Sequence, residues 1–321
     1  MKRKTIEKVL TAIHNKWLET IDDKKLREVL RKNTIITGGC IASMLLKEKV
    51  NDYDFYFRNS TTALMVAEYY VKKFKELNPG ATVGHRENLK NFEFYAKMVD
   101  ERVRIFIRSQ GTLSEDTPNE DYRYFEAQEP GSPGAELFIE QVMSTIKRDR
   151  GVKEGDAENK DKTKYRPIFL TSNAISLSDK VQLIIRFYGE PDEIHDNYDF
   201  VHCMNYWDSA TGKVTLRPEA LEAMLTRQLI YKGSLYPVCS IIRLRKFIAR
   251  NWKVSAGDIL KMILQCGELD LTDPVVLEDQ LIGVDIAYFM ELITKIKDEL
   301  KSGKVQHVDS TYVAKLIDEI F

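Results

Sequence analysis

Cysteine is scarce in this chain and badly spaced for any framework. Cys40, Cys203, Cys239 and Cys266 are the four cysteines in 321 residues, and no two form a CxxC pair. That spacing speaks against a structural zinc site or a disulfide scaffold and fits a reducing, cytoplasmic setting. Net charge is nearly absent too: 48 Lys and Arg face 49 Asp and Glu, so the whole molecule is no general polyanion binder. No apolar run approaches the ~20 residues that span a bilayer, and the basic start Met1–Glu7 lacks the apolar core of a signal peptide. A GxxxxGK[ST] phosphate loop and a GxSxG nucleophile elbow are both missing, which removes support for ATP motors and Ser hydrolases.

What is present describes a folded globular chain, 43% hydrophobic and 30% charged. Its charge is uneven. Residues 1–33 hold ten Lys/Arg against five Asp/Glu, and residues 144–166 hold eight against five. Residues 110–140 hold eight acidic residues and one arginine, Arg123. A basic face of this kind suits RNA or nucleotide phosphates, and equally an ordinary solvated helix surface.

Residues 2–32 carry helical spacing. Thr34–Thr37 reads as a short strand running into Gly38-Gly39, then a helix over 40–48 and a strand over 52–57. Ser60 caps a helix from Thr61 to Leu77, and Asn91–Val99 with Arg102–Ser109 reads as a hairpin that extends the sheet. Residues 110–165 read as an insertion, with a polar loop at 151–164. Strands are expected at 173–178, 181–187 and 198–203, with a short helix beginning near Pro191. From Arg217 onward the pattern is helical, at 218–230, 234–250, 255–265, 274–301 and 309–320. The expected organisation is therefore an N-terminal helical segment (1–33), a mixed α/β domain (34–215) with the insertion 110–165, and a helical C-terminal domain (216–321).

The chemistry concentrates at Gly38-Gly39 and at Asn51-Asp52-Tyr53-Asp54-Phe55-Tyr56-Phe57. On a strand, Asp52 and Asp54 share one face while Tyr53, Phe55 and Phe57 take the other. Two carboxylates held side by side need a cation between them, and Mg²⁺ shared with nucleotide phosphates is the usual one. Glycines ahead of a helix let backbone N–H groups approach a phosphate.

Gly-Gly, a short helix and Asp-x-Asp on a strand together resemble the signature of the polymerase-β-type nucleotidyltransferases. The twelve-residue gap between Gly39 and Asp52 is similar to that of the CCA-adding and bacterial poly(A) polymerase branch. The resemblance implies an α+β fold, a polymerase-β-like mixed sheet with helices followed by an all-helical C-terminal domain. It implies Mg²⁺ or Mn²⁺ at Asp52 and Asp54, an NTP substrate with its triphosphate on Gly38, Gly39 and Ser43, and an acceptor hydroxyl, with an RNA or tRNA 3′ end among the candidates. Two-metal transfer calls for a third carboxylate. Asp199, in the aromatic-flanked Tyr198-Asp199-Phe200, is the candidate, the alternative being a capping aspartate. That stretch, preceded by Gly189-x-Pro191, is also similar to uncharacterised nucleotidyltransferase-like proteins of tailed phages. Phe169-Leu170-Thr171-Ser172-Asn173-Ala174 faintly resembles a Phe-Thr-x-Asn-Ala motif of the same branch; Asn173 would then bond a base or ribose, a turn asparagine being the other reading. Tyr236–Arg250 resembles the helix opening the neck of CCA-type enzymes, and Arg243 is the residue carried over toward the nucleotide. His202 is expected to be a partly buried, hydrogen-bonded histidine rather than a ligand. Ala42-Ser43 stand where that branch carries an Arg-Asp pair. This departure keeps a second class open: a catalytically inactive relative that binds nucleotide or RNA or serves in assembly.

Overall fold

The computed structural model describes residues 1–77, 82–83, 87–88, 92–99, 101–109, 164–170 and 174–271, and the single positions 276, 280 and 311. Helix α1 (Arg3–Glu19) buries Ile6, Leu10, His14, Trp17 and Leu18 along one face, the spacing of an amphipathic helix. Helix α2 (Lys24–Asn33) is started by Asp23, whose carboxylate accepts the Lys25 and Leu26 N–H groups at 2.8 and 3.1 Å. It runs straight into β1 (Thr34–Thr37), buried at all four positions. Helix α3 (Gly39–Leu46), strand β2 (Tyr53–Phe57) and helix α4 (Ser60–Leu77) follow.

Strands β3 (Thr82–Val83) and β4 (Glu87–Asn88) form a small ladder. Strands β5 (Phe92–Val99) and β6 (Arg102–Ser109) form the expected hairpin. Among the described residues the hairpin does not extend the central sheet: β5 and β6 pair with each other, and β6 contributes Val103 and Ile105 to the main core. Next come β7 (Pro167–Leu170), β8 (Ala174–Leu177), β9 (Val181–Tyr188) and helix α5 (Pro191–His195). After α5 the structure departs from the sequence reading. Residues 198–203 are not a strand. Phe200 makes one isolated bridge to Tyr231, and Val201–Cys203 is a turn of 3₁₀ helix. The sheet is extended instead by a hairpin of β10 (Tyr206–Asp208) and β11 (Lys213–Thr215), which the pattern had not disclosed.

The described residues continue with α6 (Pro218–Thr226), β12 (Gln228–Leu229), α7 (Pro237–Ile248), β13 (Lys253–Val254) and α8 (Ala256–Gly267). β12 and β13 form a two-residue parallel pair between these helices. The expected insertion, save residues 164–165, lies outside the described residues. So do the expected helices at 274–301 and 309–320, apart from positions 276, 280 and 311.

The seven-stranded mixed sheet has the order β11-β10-β1-β2-β9-β8-β7, antiparallel throughout except for the β2–β9 pair. One face packs on α1 and α4. There Ile36, Phe55, Phe57, Leu183 and Trp207 meet Ile6, Leu10, Trp17, Val66 and Tyr70. Trp17 stands edge-on to Phe55 at 5.1 Å between centroids, and its indole N–H donates to Tyr70 Oη at 2.7 Å. On the other face Ile35, Tyr56 and Ile194 form a smaller cluster with Ile184, Phe187, Tyr198 and Tyr206. A third cluster joins Ala42 of α3 and Phe200 to Met224, Leu229, Tyr231, Leu244, Trp252 and Met262, so the helical half is packed directly against α3. Among the described residues no helix is long and apolar enough to cross a membrane.

Candidate active site

The second sheet face carries a polar row. Register places Tyr206, Thr37, Asp54, Gln182 and Ser176 side by side on five successive strands. Direct partners share a face, so Asp54 points to the side opposite Phe55. The alternation read from Asp54 and Phe55 is the one observed, although Asp52 lies just ahead of the strand and is exposed.

At the end of β1, Gly38 adopts φ +91° and ψ −160° ahead of α3. A Cβ built there would lie 2.7 Å from Asp54 Oδ2 and 3.6 Å from Tyr198 Oη. Gly38 is thus required twice, by its left-handed φ and by the Asp54 carboxylate seated against it. The Gly38 N–H is taken by Cys203 O at 3.1 Å. Around Gly39 the space is open, and Ser43 lies one turn further along α3, partly buried. A carboxylate at the start of a helix sits where the macrodipole favours negative charge.

Electrostatics mark the same spot. Burial, and then the charge of Asp52, hold the Asp54 carboxyl well above the usual carboxylate range, while Arg243 and Lys246 of α7 pull it back. Burial and Asp54 also raise the Tyr56 phenol, and burial raises the Cys40 thiol with help from Asp54 and Asp52. Behind the row, Thr37 Oγ1 donates to Asn205 O at 2.9 Å and meets His195 Nε2 at 2.8 Å. With the hydroxyl hydrogen spent on Asn205, His195 donates from Nε2. Burial and then Arg217 lower this histidine to about 4, so it is neutral.

Arg243, carried by α7, acts on Asp54 through its charge. Asp199, the expected third carboxylate, meets side chains of the same helix. Its Oδ2 accepts from Arg243 Nη1 at 2.5 Å and from Ser240 Oγ at 3.2 Å. Among the described residues no three His, Cys, Asp or Glu side chains are grouped to hold a metal ion. The charges of Asp52 and Arg243 thus both act on Asp54, and Asp199 is tied to the arginine. Cys203 accepts the Gly38 N–H and feels both groups. Burial raises its thiol, then Asp199, with smaller contributions from Asp54 and Asp52. His202 is buried more fully than expected, its Nε2 3.3 Å from Cys203 Sγ, and burial lowers it to about 4. Asn173 lies outside the described residues. The sequence reading missed Lys246, legible as the residue one turn beyond Arg243, and Gln182, which only strand register could disclose.

Comparison with known proteins adds a family. Residues 8–227 match the model of the Gabija anti-defense 2 (Gad2) family. The protein "Gabija anti-defense 2" of Bacillus phage SPbetaL7 is 26% identical over 122 residues, 37% of this chain and 30% of that protein. The match thus spans under a third of that relative's length. Among solved structures, the Thermotoga maritima CCA-adding enzyme complexed with tRNA aligns at TM-score 0.35 and 12% identity, covering 78% of this chain and 44% of that one. A tRNA-processing enzyme with CTP aligns at TM-score 0.36 and 12% identity, covering 91% and 57%. The family match covers most of the chain, and the chain belongs to the Gabija anti-defense 2 family.

Proposed function

We propose that this Gad2-family member is a metal-dependent nucleotidyltransferase that moves an NMP from an NTP to an acceptor hydroxyl. The observation that carries the reading is the seat of Asp54: its carboxylate rests against Gly38 at the start of α3, beside Asp52 and opposite Arg243 and Lys246. Two hard carboxylate donors, Asp54 among them with raised proton affinity, fit Mg²⁺ or Mn²⁺, which characteristically takes one or two carboxylates and completes its shell with phosphate oxygens and water. Asp52 and Asp54 would hold the ion, which when bound polarises a phosphoryl oxygen and offsets charge on pyrophosphate. The Gly38-Gly39 turn, Ser43 and the first turn of α3 would receive the triphosphate. Arg243 and Lys246 would neutralise its charge from the α7 side and align it for in-line attack. The acceptor hydroxyl belongs to an RNA end, a small molecule or a protein, and the family name supports a transfer that serves to counter Gabija defence.

A second reading is favoured by one specific observation. Gln182, not a carboxylate, is the β9 partner of Asp54, and Asp199 is taken by Arg243. A site with two acidic donors suits a protein that binds nucleotide or RNA without transfer.

The test separates the two. The protein is incubated with each α-labelled NTP, Mg²⁺ or Mn²⁺, and total RNA or cell lysate. Label moving to an acceptor with wild type and not with Asp52→Ala/Asp54→Ala supports transfer. Nucleotide bound without any label transferred supports the binding role.

A further inference from the structure

We infer that Asp199 is a positioning residue: with Ser240 it holds Arg243 as the arm that receives the nucleotide triphosphate. This rests on the nucleotidyltransferase reading and gives Asp199 a role in it other than metal binding. The main chain fixes Asp199 first. Its carbonyl accepts the Lys232 N–H at 2.8 Å, the next residue bridges to Tyr231, and the Val201 N–H reaches Ile230 O at 3.1 Å. This clip fastens the segment after α5 to the segment before α7. The Asp199 carboxylate then reaches across to α7, taking Ser240 and Arg243, three residues apart on one helix face.

Exposure decides which partner serves the other. The Asp199 side chain is 12% exposed and the Arg243 side chain 40%. A ligand arriving from solvent meets the guanidinium, with the carboxylate behind it. Ser240 is fully buried, and its hydroxyl also reaches Tyr236 O at 3.3 Å, so the anchor is tied into the helix itself. The Arg243 charge also acts on Asp54. A guanidinium held at one edge gives up less side-chain freedom when it takes phosphate.

The test uses the full chain and has readouts other than activity: Mg·ATP and Mg·CTP affinity by isothermal titration, and Mn²⁺ affinity without nucleotide by electron paramagnetic resonance. Asp199→Asn should weaken Mg·NTP binding by about five- to twentyfold. It should add nothing in an Arg243→Ala background and leave Mn²⁺ affinity at the wild-type value, whereas Asp54→Asn lowers Mn²⁺ affinity. Ser240→Ala, a milder change made in case Asp199→Asn folds poorly, should weaken nucleotide binding by about two- to threefold. Loss of Mn²⁺ affinity in Asp199→Asn would make it a metal ligand and overturn the inference. So would losses for Asp199→Asn and Arg243→Ala that multiply independently. Wild type that binds Mg·NTP, with Asp199→Asn unchanged, overturns this inference alone. Wild type that binds no nucleotide overturns the nucleotidyltransferase reading along with it.

Discussion

The two faces of β1 and β2 are built from the same nine residues and do opposite work. On one face Ile36, Phe55 and Phe57 are fully buried against α1 and α4. On the other, one residue out of phase, Thr37 and Asp54 stand in a polar row, and the apolar cluster behind them is small. The first face contributes stability. The second holds carboxylates close together at a cost that burial and mutual repulsion both increase. A period of two lets a single strand serve both purposes, and substitutions on adjacent residues should therefore differ in sign.

The largest effect belongs to the apolar face. Phe55→Ala removes a ring packed against Trp17 and should destabilise the fold by about 3–5 kcal/mol, read from urea unfolding. A loss under about 1 kcal/mol would mean that this face is not the main core.

Gly38→Ala tests the other face through backbone. Left-handed φ and a Cβ placed 2.7 Å from Asp54 Oδ2 should together cost about 1–3 kcal/mol. Nucleotide binding should weaken as the carboxylate is displaced. Gly39→Ala, with open space around it and a helical position, should hold or gain about 0.5–1 kcal/mol. Similar behaviour of the two variants would erase the distinction drawn between the glycines.

A smaller effect, common to both faces, comes from the buried histidines. His14 lies beside Trp207 on the apolar face and His195 bonds Thr37 on the polar one. Burial lowers each to about 4, with Arg217 adding to the effect at His195. Unfolded histidine titrates near 6.5, so in the window between the two values the unfolded chain binds the extra proton. Stability is complete above about pH 6.5 and falls as pH drops toward 4, by roughly 1.4 kcal/mol per pH unit for each histidine. His14→Gln and His195→Gln should each flatten that slope. A slope unchanged in both variants would show that these imidazoles are protonated in the folded protein.

The features legible in the sequence were those set by local pattern. Alternation in Tyr53–Phe57, the Gly38-Gly39 turn, the 92–109 hairpin and the helix carrying Arg243 each follow from period or turn chemistry. What failed depended on partners far along the chain. Tyr198–Cys203 alternates like a strand, yet only Phe200 finds a bridge, and the chain turns into 3₁₀ helix; strand propensity expresses a fit to neighbours that the sequence does not name. Asp199 consequently reaches α7. β10 and β11 are three residues each, too short for a period to register. Their signal was the turn, where Asp208 Oδ1 accepts the Ala210 N–H at 3.0 Å and Gly212 takes φ +67°. Gln182 came to light only through the parallel pairing of β2 with β9.

The central claim is that Asp52 and Asp54 bind a metal–nucleotide complex on the polar face, and titration tests it most directly. Mg·ATP and Mg·CTP would be titrated into wild type and into Asp52→Ala/Asp54→Ala, with thermal unfolding recorded for both without metal. The account predicts that the wild type binds at least one of the two. The variant should lose that binding while its unfolding midpoint holds or rises, because the repulsion between the two carboxylates has been removed. Equal binding by both proteins, or a large fall in the variant's midpoint, would contradict it and make the two aspartates structural.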